Sequence, residues 1–247
     1  MRLLLYNLRY GSGTGTRFHL PFPMAGYLLP TRRKFRPIIE FIRSCRPDVL
    51  CLVEVDHGSL LRCSRRSQVA ALSHELGLWS HVRTKYRPGS LADTLPMLGK
   101  QANAILTREC PRSCAHHYLK RGMKRLVLSV ELAEVRVFLV HLAIRRKVRD
   151  DQLRELAQLV RHAEGPVIVA GDFNIFDGDA ELKPFLHATG LRNASPGGQP
   201  SWPSWAPRHQ LDFILHSQEL EVTGFKVPTV RFSDHYPVLC DFRFRGK

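Results

Sequence analysis

Pro166-Val167-Ile168-Val169-Ala170-Gly171-Asp172-Phe173-Asn174 runs from a proline through four apolar residues into a glycine, an acid and an amide. The run is too short for an ordinary helix and rich in β-branched side chains, so it reads as a strand over 166–170 buried on both faces. An acid and an amide directly beside such a strand are expensive unless they are paired or bind something.

The same pattern recurs outward from this point in both directions. Apolar or alternating runs bounded by Gly, Pro, Asp or charged turns predict strands over 2–8, 49–55, 102–107, 126–132, 135–142, 211–216, 221–226 and 236–242. Helical spacing of Phe35, Ile38, Ile39 and Ile42 predicts a helix over 32–45. A second is expected over 67–76, and Leu153, Leu156, Leu159 and Val160 place a third over 147–161. Some strands are separated by helices and others meet as hairpins, notably 126–132 with 135–142. That order suits two packed mixed sheets flanked by helices, and no repeat or linker divides the chain, so residues 1–247 are expected to form one domain.

Polar residues fall at or beside these strands: Asn7, Glu54, His141, Asp172 with Asn174, Asp212, and Asp234 with His235. Singly, each has a plain reading as a turn residue, a cap or a core histidine. Together they describe a site built from separate strand ends on a sheet scaffold.

Val169-Ala-Gly-Asp172-Phe-Asn174 resembles the Gly-Asp-x-Asn signature of the endonuclease/exonuclease/phosphatase superfamily, and Ser233-Asp234-His235-Tyr-Pro-Val resembles its closing Ser-Asp-His motif. Tyr6-Asn7 is similar to the first-strand Asn, Leu52-Val-Glu54-Val to the Glu block, Val140-His141-Leu142 to the central His and Leu211-Asp212-Phe-Ile-Leu to the late Asp. The blocks stand in family order from Arg2 to Phe242. Ala102 departs from the pattern, standing before Asn103 where many relatives carry Gly. The resemblance implies an α+β, four-layer αββα sandwich of deoxyribonuclease I type and a divalent-metal-dependent phosphodiesterase. It also implies roles. Glu54 ligates Mg²⁺ or Mn²⁺, one ion or two, with Asn7 and Asp234 completing or bracing the sphere. Asp172 and Asn174 position or deprotonate the attacking water, His235 paired with Asp212 contacts the phosphate, and His141 donates to a non-bridging oxygen. A zinc hydrolase would need ligands richer in His and Cys, and Cys110, Cys114, His116 and His117 read instead as a surface loop.

Composition bears on the substrate. Of 247 residues 44% are hydrophobic and 24% charged, as in an ordinary globular chain, but 37 Lys+Arg against 22 Asp+Glu give a net charge of +15 and a pI near 10.1. Such an excess points to an acidic partner or to a proteome rich in arginine. Basic clusters at 31–36, 120–125 and 145–147 either flank the site or form solvated faces. The glycine-rich, then apolar segment 11–30 reads as a lid, a membrane-facing patch or ordinary core. Trp202 and Trp205 stack on a base or pack at the rim. Asn103, Arg145, Arg146 and Trp205 are the expected substrate contacts. A nuclease acting on DNA or RNA is the first expectation; the alternative is a lipid or small-molecule phosphoesterase at an anionic membrane surface. A non-catalytic nucleic-acid-binding module accounts for the charge but not for the ordered blocks. No signal peptide, membrane-spanning helix or obligate protein partner is expected, and six scattered Cys suit reduced thiols in the cytoplasm.

Overall fold

The computed structural model describes residues 1–13, 32–60, 66–86, 89–95, 98–195 and 197–246. The apolar part of the segment 11–30 and Cys63 therefore lie outside the described residues. Among those described, twelve strands form two six-stranded mixed sheets.

In the first sheet β1 (Arg2–Asn7) lies beside β2 (Val49–Asp56) in parallel. β3 (Trp79–Thr84) and β4 (Gln101–Thr107) extend the β2 side, and β11 (Leu220–Lys226) and β12 (Val238–Phe244) extend the β1 side, all antiparallel. In the second sheet β7 (Arg136–His141) and β8 (Val167–Asp172) are the parallel pair. β5 (Ser113–Tyr118) and β6 (Leu126–Glu131) lie on one side of it, and β10 (Asp212–His216) and β9 (Arg192–Asn193) on the other. Parallel neighbours need a crossover, and a helix supplies each: α1 (Arg32–Cys45) joins β1 to the β2 strand, and α3 (Arg146–Arg161), after α2 (Gln68–Leu76), joins β7 to β8. A short α4 (Lys183–Thr189) follows β8.

Both faces of the central strands are apolar, as their uninterrupted runs require. Leu3, Leu5, Cys51 and Val53 face the other sheet and pack with Leu128, Leu139, Ile168, Ala170 and Ile214. Their alternates Leu4, Tyr6, Leu50 and Leu52 face outward under Phe35, Ile38, Ile42 and Leu72 of the helices. Val167, Val169 and Phe213 lie likewise under Leu153, Leu156 and Phe185. The layers are helix, sheet, sheet, helix, which is the expected architecture.

Several elements were not expected. β3 and β5 are exposed edge strands without an apolar run, and the region around Cys114, His116 and His117, expected as a loop, belongs to β5. These two edges meet at the side of the sandwich, where His81 Nε2 lies 3.1 Å from the Ala115 carbonyl and Arg83 Nε donates to His116 Nδ1 at 3.4 Å. The strand expected over 166–170 begins at Val167 and runs past Ala170 through Gly171 to Asp172, carrying the acid into the ladder.

That extension depends on Gly171. Its Cα pairs with Val140 on one side and Phe213 on the other, and any Cβ there would overlap the Val140 carbonyl oxygen. Gly171→Ala is expected to destabilise the fold by about 3 kcal/mol or more in urea titration. Gly77→Ala, a left-handed helix cap with open space around it, should lose only about 1 kcal/mol.

Candidate active site

Topology alone gathers the polar residues at one end of the sandwich. Parallel pairing of β7 with β8 sets His141 beside Asp172, and antiparallel pairing of β10 with β8 sets Asp212 on the other side of Asp172. In the facing sheet Asn7 ends β1 beside Val53, and the antiparallel β12 brings the preceding Asp234 and His235 to that end. Glu54 comes from an irregularity. The β2–β4 register shifts between Leu52 and Val55, and Glu54 at the bulge has φ +56°. A left-handed conformation in a non-glycine residue costs about 1–3 kcal/mol and persists where the surroundings over-determine it. Asn103 supplies one restraint: its Oδ1 accepts the Glu54 backbone N–H at 3.3 Å.

Asp172 is the hub. Its Oδ2 accepts from Asn7 Nδ2 at 3.0 Å and lies 3.4 Å from His141 Nε2 and 3.9 Å from His235 Nε2. Its Oδ1 accepts the Asn174 backbone N–H at 3.0 Å, closing a tight turn with Asn174 at φ +53°. The Asn174 amide donates to the Leu142 carbonyl at 2.9 Å, tying that turn to the end of β7.

Asp212 Oδ2 lies 2.7 Å from His235 Nδ1 and accepts from Ser201 Oγ at 2.6 Å. Burial opposes charge on the His235 ring, but Asp212, then Asp172 and Asp234, override it and hold the imidazolium up to about 10. Burial raises the Asp172 carboxyl to about 6, with His235 pulling against it and Asp212 adding to it. His141 goes the other way: burial, with Lys124, Lys85 and His235 nearby, keeps its ring neutral. Both His141 ring nitrogens are buried and have no hydrogen-bonding partner among the described residues. That arrangement offers one neutral donor, one charged donor and one carboxylate able to take a proton, within a few ångströms.

Asn7, His141, Asn174, Asp212 and His235 thus gather around Asp172 in one buried network, and Glu54, restrained by Asn103, borders it with Oε1 4.0 Å from His141 Nδ1. Asp234, whose charge also reaches His235, has its Oδ2 3.5 Å from Arg9 Nη1 at the edge of this network. Arg145 and Arg146 stand exposed where α3 begins, Arg146 beside Asp177 at 3.5 Å, and Trp205 is half exposed. No bond joins these three to the network among the described residues. Of the basic cluster 31–36, Arg36 pairs with Glu40 on an exposed helical turn at 3.2 Å.

Lys85, Tyr10 and Ser201 were not foreseen. Lys85 follows the exposed β3, yet its side chain is buried with Nζ 3.3 Å from Glu54 Oε1 and 2.8 Å from Tyr10 Oη. Nothing in a run of mixed polar residues marks it. Ser201 had a faint signal, a hydroxyl between prolines just ahead of the Asp212 strand.

The sequence model of the Endonuclease/Exonuclease/phosphatase family matches residues 4–235, from the first strand through His235. The chain belongs to that family. No curated protein sequence matches it. As a family member the chain is a phosphoesterase, and enzymes of this family generally use divalent metal ions. Solved structures share the fold across 99% of this chain. The human Nocturnin catalytic domain with bound sulfate is 22% identical over 93% of its own length, with a TM-score of 0.68. An endonuclease/exonuclease/phosphatase from Beutenbergia cavernae is 20% identical over 71% of its length, at 0.71. A mannosyl-6-phosphatase from Bacteroides thetaiotaomicron is 16% identical over its full length, at 0.73.

A carboxyl raised from 3.8 to about 6 binds its proton more tightly in the folded chain than in the unfolded one. Its ionisation therefore costs folding stability: nothing below pH 3.8, increasingly as pH rises to about 6, and fully above that. Metal-free Asp172→Asn should accordingly be more stable than the parent by about 1–3 kcal/mol at pH 7. The gain should vanish towards pH 3.8 in denaturant titrations.

Proposed function

We propose that the protein is a phosphodiesterase dependent on Mg²⁺ or Mn²⁺ that hydrolyses nucleic acid, with Asp172, His235 and His141 acting on the phosphate. The observation that carries this reading is the buried network in which Asp172 is held between Asn7, His141 and the His235–Asp212 pair.

The residues suit a hard cation. Glu54 is buried and turned into the site by its bulge, and burial, which would raise its pKa, is outweighed by Lys85, Lys124 and His235, so its carboxylate stays ionised. Mg²⁺ is commonly bound through one or two carboxylates with waters and substrate oxygens completing its sphere, which fits a site led by Glu54 with Asn7 beside it. Bound there, the ion would polarise a phosphoryl oxygen and neutralise developing negative charge. Asp172, ionised above about pH 6 and oriented by Asn7, takes a proton from the attacking water. His235, kept cationic by Asp212, donates to an equatorial phosphate oxygen, and the neutral His141 donates through its free ring nitrogen. Asn174 and Ser201 hold the two carboxylates in position.

Nucleic acid is favoured by the +15 net charge and by aromatic rings beside the catalytic turn. Phe176 meets Trp202 and His209 edge to face, and those two rings lie tilted to each other, with centroids 5.5–6.0 Å apart, in the segments after Asn174 and before Asp212. A base stacked on such rings gains about 1–3 kcal/mol without sequence preference. The sugar phosphatase among the structural neighbours supports the second reading, a small phosphorylated substrate.

The test is metal-dependent hydrolysis, against an EDTA control, of single- and double-stranded DNA, RNA, bis-p-nitrophenyl phosphate, sugar and inositol phosphates and sphingomyelin. Cleavage of DNA or RNA is expected, lowered about 10³-fold in kcat by Asp172→Asn. The rate should rise through pH 6 as Asp172 ionises and fall towards pH 10 as His235 loses its proton. Turnover confined to sugar, inositol or lipid phosphates selects the second reading, and Asp172→Asn protein with parental rates contradicts the assignment.

A further inference from the structure

Lys85 is a cation enclosed in the site. Its side chain is 6% exposed, its backbone N–H continues the β3–β4 ladder by donating to the Gln101 carbonyl at 2.8 Å, and its Nζ reaches Glu54 and Tyr10. Tyr10 is fixed in turn. It has φ +57°, its carbonyl accepts from Gln68 Nε2 at 2.8 Å, and Gln68 Oε1 accepts the Asp56 backbone N–H at 2.9 Å. A buried ammonium without a carboxylate is costly, and so is the buried Glu54 without a cation. Each therefore neutralises the other in the metal-free protein.

A divalent ion on Glu54 changes that balance. Two cations drawn to one small carboxylate repel each other strongly in a water-poor site. The ammonium then needs a new negative partner, and the substrate's phosphate would bring one into the same enclosure.

We propose that Lys85 is the counter-ion that holds Glu54 until a divalent cation takes its carboxylate, and that the released ammonium then binds an anionic phosphate oxygen of the substrate. This rests on the reading of Glu54 as a metal ligand. Lys85 is thus a positioning residue before metal binds and a substrate contact afterwards. Metal and substrate are coupled through it: the ion frees the lysine, and the phosphate compensates the lysine for the lost carboxylate.

The experiment is calorimetric titration of the wild-type chain and Lys85→Met with Mg²⁺ alone, then of the Mg²⁺-saturated proteins with inorganic phosphate, with melting temperatures recorded in EDTA and in Mg²⁺. With its competitor gone, Lys85→Met is expected to bind Mg²⁺ at least about tenfold more tightly. It should melt lower than wild type in EDTA and gain more from Mg²⁺, since the ion then supplies the missing charge. Its Mg²⁺-saturated form should bind phosphate at least about tenfold more weakly. A lysine with a merely structural role would lower stability without tightening metal binding. Unchanged or weaker Mg²⁺ affinity in Lys85→Met overturns the exchange, and unchanged phosphate affinity overturns the substrate contact. Should Lys85→Met fail to fold, Lys85→Gln, which keeps a donor for Tyr10, makes the same comparison. A wild-type chain that binds no Mg²⁺, or binds it equally as Glu54→Gln, removes the metal reading of Glu54 instead.

Discussion

The carboxylate of Asp172 is sealed at the junction of two sheets, and a charge in that position must be met by partners from both. Asn7 reaches it from the first sheet and His141 from the second, while His235 approaches on the loop leading into β12. The cost of ionising a carboxyl there is visible in its rise to about 6. The same cost makes it a proton acceptor near neutral pH. The features that fix its place, from the missing Cβ of Gly171 to the tight turn onto Asn174, all constrain one atom group.

Strain collects at this end of the sandwich. Arg9, Tyr10, Glu54 and Asn174 have positive φ, and all border the site. Backbone of that kind endures only on a rigid support. Here the support is a pair of sheets whose central strands are apolar on both faces and covered by α1, α2 and α3 on the outside. Burial away from the site offsets conformations that the site requires. The pairing of opposite charges inside it, Lys85 with Glu54 and His235 with Asp212, keeps the uncompensated charge small.

The central strands and the three longer helices were legible because both-face burial leaves continuous apolar runs and one-face burial leaves a helical stripe. β3 and β5 were not, because edge strands bury little and their composition resembles that of loops. Asp172, Asp212 and His235 stood out as charge beside apolar sequence. Lys85 did not, since it lies next to polar residues and its burial arises from Tyr10 and Glu54, distant in sequence. The pairing of Arg9 with Asp234 was equally hidden, because Arg9 reaches it through a left-handed turn that no local pattern announces.

Anomalous diffraction from a crystal of the protein grown with Mn²⁺ and inorganic phosphate tests the central claim most directly. The account requires a manganese peak within about 2.0–2.3 Å of a Glu54 carboxylate oxygen. It also requires a phosphate between that ion and the rings of His141 and His235, with Asp172 beside it. Manganese bound away from Glu54, or phosphate seated outside the Asp172 network, would contradict it.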